Sequence, residues 1–212
     1  FGYDEAEHLL LRAGFGGTPA QIVALSDLGL DDAVESLVHW ETVDAQLNDD
    51  SAFRSDIMEP LATEDRRMRD RARQRGDETT LDKFRTMRQE RQRQDRRQMR
   101  EIQSWWLEQL IESPRPLQEK LTLFWHGHFA TGYRSVEDSW HMMLQNHMLR
   151  ENAGGNFKTD LVQRIIRDPA MIKYLNNNQN TRRAPNENLA RELMELFTLG
   201  EGNGYTEDDI KE

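Results

Sequence analysis

An all-α fold, a multi-helix orthogonal bundle with a protruding Arg-rich helical hairpin, is what this sequence predicts, and three observations lead there. No segment alternates apolar and polar residues with period two for more than a few positions, whereas apolar residues recur at three- and four-residue spacing in stretch after stretch. Most of those stretches are short and end at Gly, Pro or polar clusters, as helices do. Residues 64–100, in contrast, hold too few apolar side chains to bury either helix face deeply, so they are expected to form a solvated hairpin rather than core.

Taken in order, Asp4 to Ala13 places Ala6, Leu9, Leu10 and Ala13 at helical spacing and stops at Gly14-Phe15-Gly16-Gly17. Thr18 then offers an N-cap with Pro19 at the first helical position, and Ile22, Leu25 and Leu28 supply the apolar side. Asp31 to His39 follows with Ala33, Val34, Leu37 and Val38, so residues 1–45 are expected to be a short-helix subdomain. Residues 46–100 form the charged insert, which Gly76-Asp77 breaks into two arms, the second beginning near Thr79 or Thr80. The main core is expected over residues 101–212. It opens with Trp105, Trp106, Leu107, Leu110 and Ile111, is punctuated by Pro114 and Pro116, and runs on through Leu117 to Gly132. Further helices carry Val136, Trp140, Met143, Leu144 and Met148, then Phe157, Leu161, Ile165 and Ile166. Pro169 opens another, and after a polar loop the segment ENLARELMELF closes at Gly200.

Composition narrows the function. Lys and Arg number 28 against 38 acidic residues, a net charge of -10, which argues against a nucleic-acid or anionic-membrane surface spread over the molecule. Residues 64–100 depart from that average, with 13 Arg and one Lys against 8 acidic residues, a net of +6 that leaves -16 for the rest. An Arg-rich arm of this kind is either a solvated helix pair held by its own ion pairs or a docking surface for a polyanion or an acidic partner. Without cysteine there are no disulfides, thiol nucleophiles or Cys-ligated metals. No apolar run reaches the length of a membrane span. The chain opens on Phe1 and stops in TEDDIKE with no closing element, so both ends are expected to be cuts in a longer protein.

Three groups of residues are candidates for chemistry. His126 and His128 stand beside Trp125 and Phe129, and neutral imidazole serves both as a metal ligand and as an acid–base group near neutral pH. Residues two apart on a helix point to nearly opposite sides, so both histidines reach one divalent ion only if Gly127 distorts the helix; otherwise His128 faces the core four residues after Phe124. On the last helix, Glu192 borders the apolar stripe of Leu189, Leu193, Leu196 and Phe197. It is the expected carboxylate partner or general base, with Arg191 or Asn186 orienting it. Glu187, Arg191 and Glu195, four apart, also read as a salt-bridge ladder. Thirdly, Asn176, Asn178, Asn180, Arg182 and Glu187 fall at positions one, three, five, seven and twelve of a loop with EF-hand spacing for calcium. Against calcium stand neutral Asn at one and three, Thr181 where Gly is needed, and Arg182 with Arg183, all of which favour an asparagine cap and turn cluster. No phosphate-cradling glycine motif and no serine nucleophile elbow is present.

Four stretches together resemble one bacterial family, that catalogued as domain of unknown function 1800: HLLLRAGFGGTPAQI, RPLQEKLTLFWHGHFATG, QNHMLRENAGGNF, and the run from Asp168 to the chain end containing NENLARELMELF. The resemblance leaves out the Arg-rich insert. It implies a longer protein of which this is the N-terminal portion, exported to the periplasm or secreted, and accompanied by a sulfatase-like partner family. In the family this loop often has Asp, which suits calcium better, where this chain has Asn176 and Asn178, and that departure counts against calcium in this member. It implies no particular reaction. A His/Glu site for hydrolytic or redox chemistry and a non-enzymatic module docking through the Arg-rich hairpin both remain open.

Overall fold

Caps, Pro and Gly place the helix ends in the computed structural model, which describes residues 1–211. Helices α1 (Tyr3–Ala13), α2 (Pro19–Asp27) and α3 (Leu30–Val38) are followed by α4 (Thr63–Arg75), α5 (Glu78–Glu112) and α6 (Pro116–His128). The chain continues as α7 (Tyr133–Val136), α8 (Ser139–Glu151), a π-helical turn Phe157–Val162 leading into α9 (Gln163–Ile165), and α10 (Pro169–Tyr174). Finally α11 (Asn188–Glu192) runs into a second π-helical turn, Leu193–Thr198, before α12 (Glu207–Lys211). Among the described residues there is no β-strand, only an isolated bridge between Thr181 and Ala184. The protein is all-α, in agreement with its apolar periodicity.

The first three helices share a core of Ala6, Leu10, Ala13, Ile22, Leu25, Ala33 and Leu37, against which Leu117 of α6 packs. Thr18 caps α2 reciprocally: its hydroxyl accepts from the Gln21 amide while the Gln21 side chain accepts from the Thr18 N–H. At the other end of α1, Lys120 of α6 donates to the Leu11 and Gly14 carbonyls at 2.6 and 2.7 Å, satisfying acceptors that a helix C-terminus leaves unpaired. Gly14 lies so close to Pro116 that an added Cβ would sit 2.7 Å from the proline Cβ. The short-helix unit is thus mounted on α6.

Gly76, left-handed at φ 65°, reverses the chain between α4 and α5, and Asp77 caps α5 by accepting from the Thr80 amide. Helix α5 has 35 residues, roughly 50 Å at helical rise, and passes position 100 without interruption. The Arg-rich stretch and the Trp105-Trp106 stretch are therefore one rod. Residues 43–62 form an irregular strap along it. Gln109 and Trp105 bond Asn48, Gln98 bonds both backbone groups of Arg54, and Arg91 donates to the carbonyls of Ile57 and Glu59. The largest apolar cluster gathers Phe129, Leu149, Leu161, Ile165, Met171, Leu175 and Phe197, bringing α6, α8, α9, α10 and the last π turn together.

Candidate functional site

Helix α6 continues through Gly127 to His128, so the two imidazoles leave it in different directions. His126 lies against Trp106 of α5, ring centroids 4.9 Å apart. Burial, with a smaller contribution from the nearby Arg150 charge, holds its pKa below the ordinary imidazole range and keeps it neutral at neutral pH. His128 turns the other way, stacking on Phe124 and placing Nε2 3.0 Å from the Phe197 carbonyl. A carbonyl only accepts, so Nε2 carries the proton in that bond. The first π-helical turn starts and the second finishes at this corner: Phe157 stacks on Trp125 and Phe129, and Phe197 meets Phe129 edge-on. The His turn and the last helix do meet, but through His128 and Phe197.

Glu192, half-buried on α11, does not supply that contact. Arg191 donates to Glu195 at 3.1 Å and to both oxygens of Glu207 at 2.9 and 2.8 Å, with Glu187 at 3.6 Å. Its bonds to Glu207 and Glu195 push its pKa further up, and the four-residue ladder expected from the sequence is formed. Arg191 thereby ties α12 to α11 rather than orienting a carboxylate for the histidines. Among the described residues no group of three or more His, Asp or Glu side chains is placed to hold one metal ion. His126, His128 and Glu192 are not brought together as a ligand set.

In the asparagine loop, Asn176 is left-handed at φ 58°, Asn178 lies in a 3-10 turn, and the side-chain oxygens of Asn176, Asn180 and Asn186 serve the loop itself. Asn176 accepts from Gln179, Asn180 from the Asn186 amide, and Asn186 from the Asn188 amide, while Asn186 also donates to the Asn176 carbonyl. The side-chain oxygens of Asn176 and Asn180 each accept a hydrogen bond from within the loop, and one Glu187 oxygen lies 3.6 Å from the Arg191 guanidinium.

Three buried polar groups have no counterpart in the sequence reading. Glu119 of α6, 1% exposed, takes a bidentate pair from Arg150 of α8 at 2.8 and 3.1 Å, and Arg150 also reaches Asn146 and lies over the Trp105 ring. Asp95, 2% exposed in the Arg-rich half of α5, accepts from the Ser139 amide, the Ser139 hydroxyl and Tyr133. Desolvation, followed by the Asp95 bond, raises the Tyr133 pKa and keeps its proton in place. Asp168 caps α10 and accepts from Gln145 at 2.7 Å; burial lifts its pKa to about 6.

A groove of about 650 Å³ lies between α4, the first turns of α5 and the end of the strap. Met58, Leu61, Leu81, Phe84 and Met87 give it an apolar lining, and Arg69, Arg73, Arg85, Arg88 and Arg91 surround that lining, with Glu59 the one carboxylate. Arg69 pairs with Asp70, Arg85 with Asp82 and Glu78, and Arg91 with strap carbonyls. Among the described residues Arg73 and Arg88 have no carboxylate within ion-pair reach. The local charge was legible in the sequence; the apolar lining was not, because it draws on Met58 and Leu61 from outside the Arg-rich stretch.

Fold and surface together define an all-α domain with a cationic, apolar-lined groove. The chain belongs to the family described as "Protein of unknown function (DUF1800)", whose match covers residues 8–212. No curated protein and no solved structure matches it.

Proposed function

We propose that the chain is a non-enzymatic interaction module and that the α4–α5 limb docks a protein partner. The groove carries this reading. Arg around an apolar floor is the side-chain mixture that protein interfaces favour, and the two unpaired guanidiniums gain most from an incoming carboxylate. A nucleic acid fits less well, since phosphates have no use for Met58, Leu61 and Phe84 and the chain carries -10 overall. A His-centred metal or acid–base site has weaker support, because the His128 Nε2 proton is engaged by Phe197 and Arg191 is held by carboxylates. Export to the periplasm, with a sulfatase-like partner, rests on the family resemblance.

The test is site-specific photo-crosslinking of the full chain in its native cells. A photoreactive residue replacing Met87, in the groove, is expected to give a discrete adduct, and one replacing the exposed Leu11 of α1 is not. Arg73→Glu with Arg88→Glu should abolish the Met87 adduct. Equal labelling at both positions, or none at Met87, overturns the proposal.

A further inference from the structure

We infer that the groove receives an acidic amphipathic α-helix of the partner, laid along α5 in line with α8; this deepens the docking reading and rests on it. Leu81, Phe84, Arg88, Arg91, Asp95, Gln98, Ile102, Trp105 and Gln109 follow one another at alternating steps of three and four. That spacing averages about 3.5 residues, the period of a seam that faces a second helix along its length. Asp95, Gln98, Ile102, Trp105 and Gln109 are the buried residues of α5.

Over that part α8 supplies the second helix. Ser139 at its start bonds Asp95, Met143 packs with Ile102 and Trp105, and Arg150 near its end lies over Trp105, so α8 runs parallel to α5. The seam does not stop where α8 begins. Leu81, Phe84 and Arg91 are half-buried and Arg88 is exposed, and all four line the groove. An occupant continuing the line of α8 meets Leu81 and Phe84 on the seam with Met58, Leu61 and Met87 beside them, and finds Arg88 at the next seam position and Arg73 on α4. It therefore needs an apolar stripe bordered by Asp or Glu. A second copy of the limb would set Arg against Arg, and an extended peptide would not match the seam spacing. Leu81 to Arg91 spans about 15 Å, so about two heptads suffice.

The probe is a labelled, helix-stapled peptide with Leu at the a and d positions and Glu at e and g, titrated into the purified full chain by fluorescence anisotropy. Comparison peptides have the same composition with the leucines moved off the stripe, or a central Pro that breaks the helix. The stapled peptide is expected to bind at least about tenfold more tightly than either, and more weakly as salt rises. Arg73→Ala and Arg88→Ala should each weaken it about three- to tenfold, and Phe84→Ala by about tenfold, with circular dichroism confirming that each variant is folded.

The inference is overturned if the stapled peptide fails to bind, if the Pro-containing peptide binds equally well, or if anionic phospholipid vesicles displace the stapled one. It is overturned equally if sedimentation shows the chain self-associating in an Arg88-dependent way. Retention of the Met87 crosslink alongside any of these leaves the docking surface standing and removes only its helical occupant; loss of that crosslink removes the docking reading as well.

Discussion

The two halves of α5 share one spacing and differ in what lies over them. From Asp95 to Gln109 the seam is buried although three of its five positions are polar, because α7, α8 and the strap bring hydrogen-bond partners to Asp95, Gln98 and Gln109. From Leu81 to Arg88 the same spacing carries two half-buried apolar residues and an exposed arginine in the groove beside α4, and only Arg91 is tied down, by the strap carbonyls. Burial along this helix therefore follows the supply of partners, not the hydropathy of the seam, and a polar residue is cheap to bury only where its hydrogen bonds are complete.

The severest way to break the covered side is to strand a charge. Glu119→Ala leaves the Arg150 guanidinium, 3% exposed, without its bidentate partner, and should lower unfolding free energy by about 3–5 kcal/mol in denaturant titrations. Glu119→Gln, which keeps the shape and one acceptor, should cost visibly less. Equal losses would mean that the carboxylate charge carries the whole effect and that shape and the remaining acceptor add nothing.

Next in size is Asp95→Ala, which removes the acceptor for Ser139 and Tyr133 in an otherwise polar part of the helix. A loss of about 2–4 kcal/mol is expected, together with earlier exchange of the Ser139 amide proton. A value near zero would show that α7 and α8 do not depend on α5 for their position.

Asp168 sharpens the comparison from the opposite direction, since burial rather than pairing dominates there and its pKa stands at about 6 against 3.8 for an ordinary Asp. A raised folded-state pKa means that the folded protein holds this proton more tightly than the unfolded chain. The stabilisation from protonated Asp168 is complete below about pH 4 and is lost as pH rises through about 6. Asn caps a helix comparably and cannot ionise, so Asp168→Asn should gain on the wild type by about 1–3 kcal/mol between pH 4 and 7 in paired melts. A stability difference that is constant with pH would sink this account.

How much of this was legible in sequence follows the same division. The helices around Thr18, Pro19, Gly76 and Pro169 were readable because caps and breakers act locally. The rule that His126 and His128 diverge on an unbroken helix was readable for the same reason, and so was the Glu187–Arg191–Glu195 ladder. Glu119 and Arg150 sit 31 positions apart on different helices, and nothing near either residue announces the other. Asp95 and Gln98 were hidden in a stretch whose composition reads as solvated, although their place in the three–four alternation was a usable signal. The π-helical turns that carry Phe157 and Phe197 to the aromatic corner are set by tertiary packing and have no comparable local mark.

The smallest expected effect is the most direct test of the open half. Arg88 is exposed, and among the described residues it has no carboxylate partner, so Arg88→Ala should change unfolding free energy by no more than about 0.5 kcal/mol. Asp95, one heptad along the same face, is expected to cost several times as much. Because the two positions share helix, seam and spacing, the ratio between them measures what a covering partner adds. If Arg88→Ala proves as damaging as Asp95→Ala, the groove is part of the folding core and its arginines hold the limb together; if it is silent in isolation, Arg88 is free to meet an incoming carboxylate.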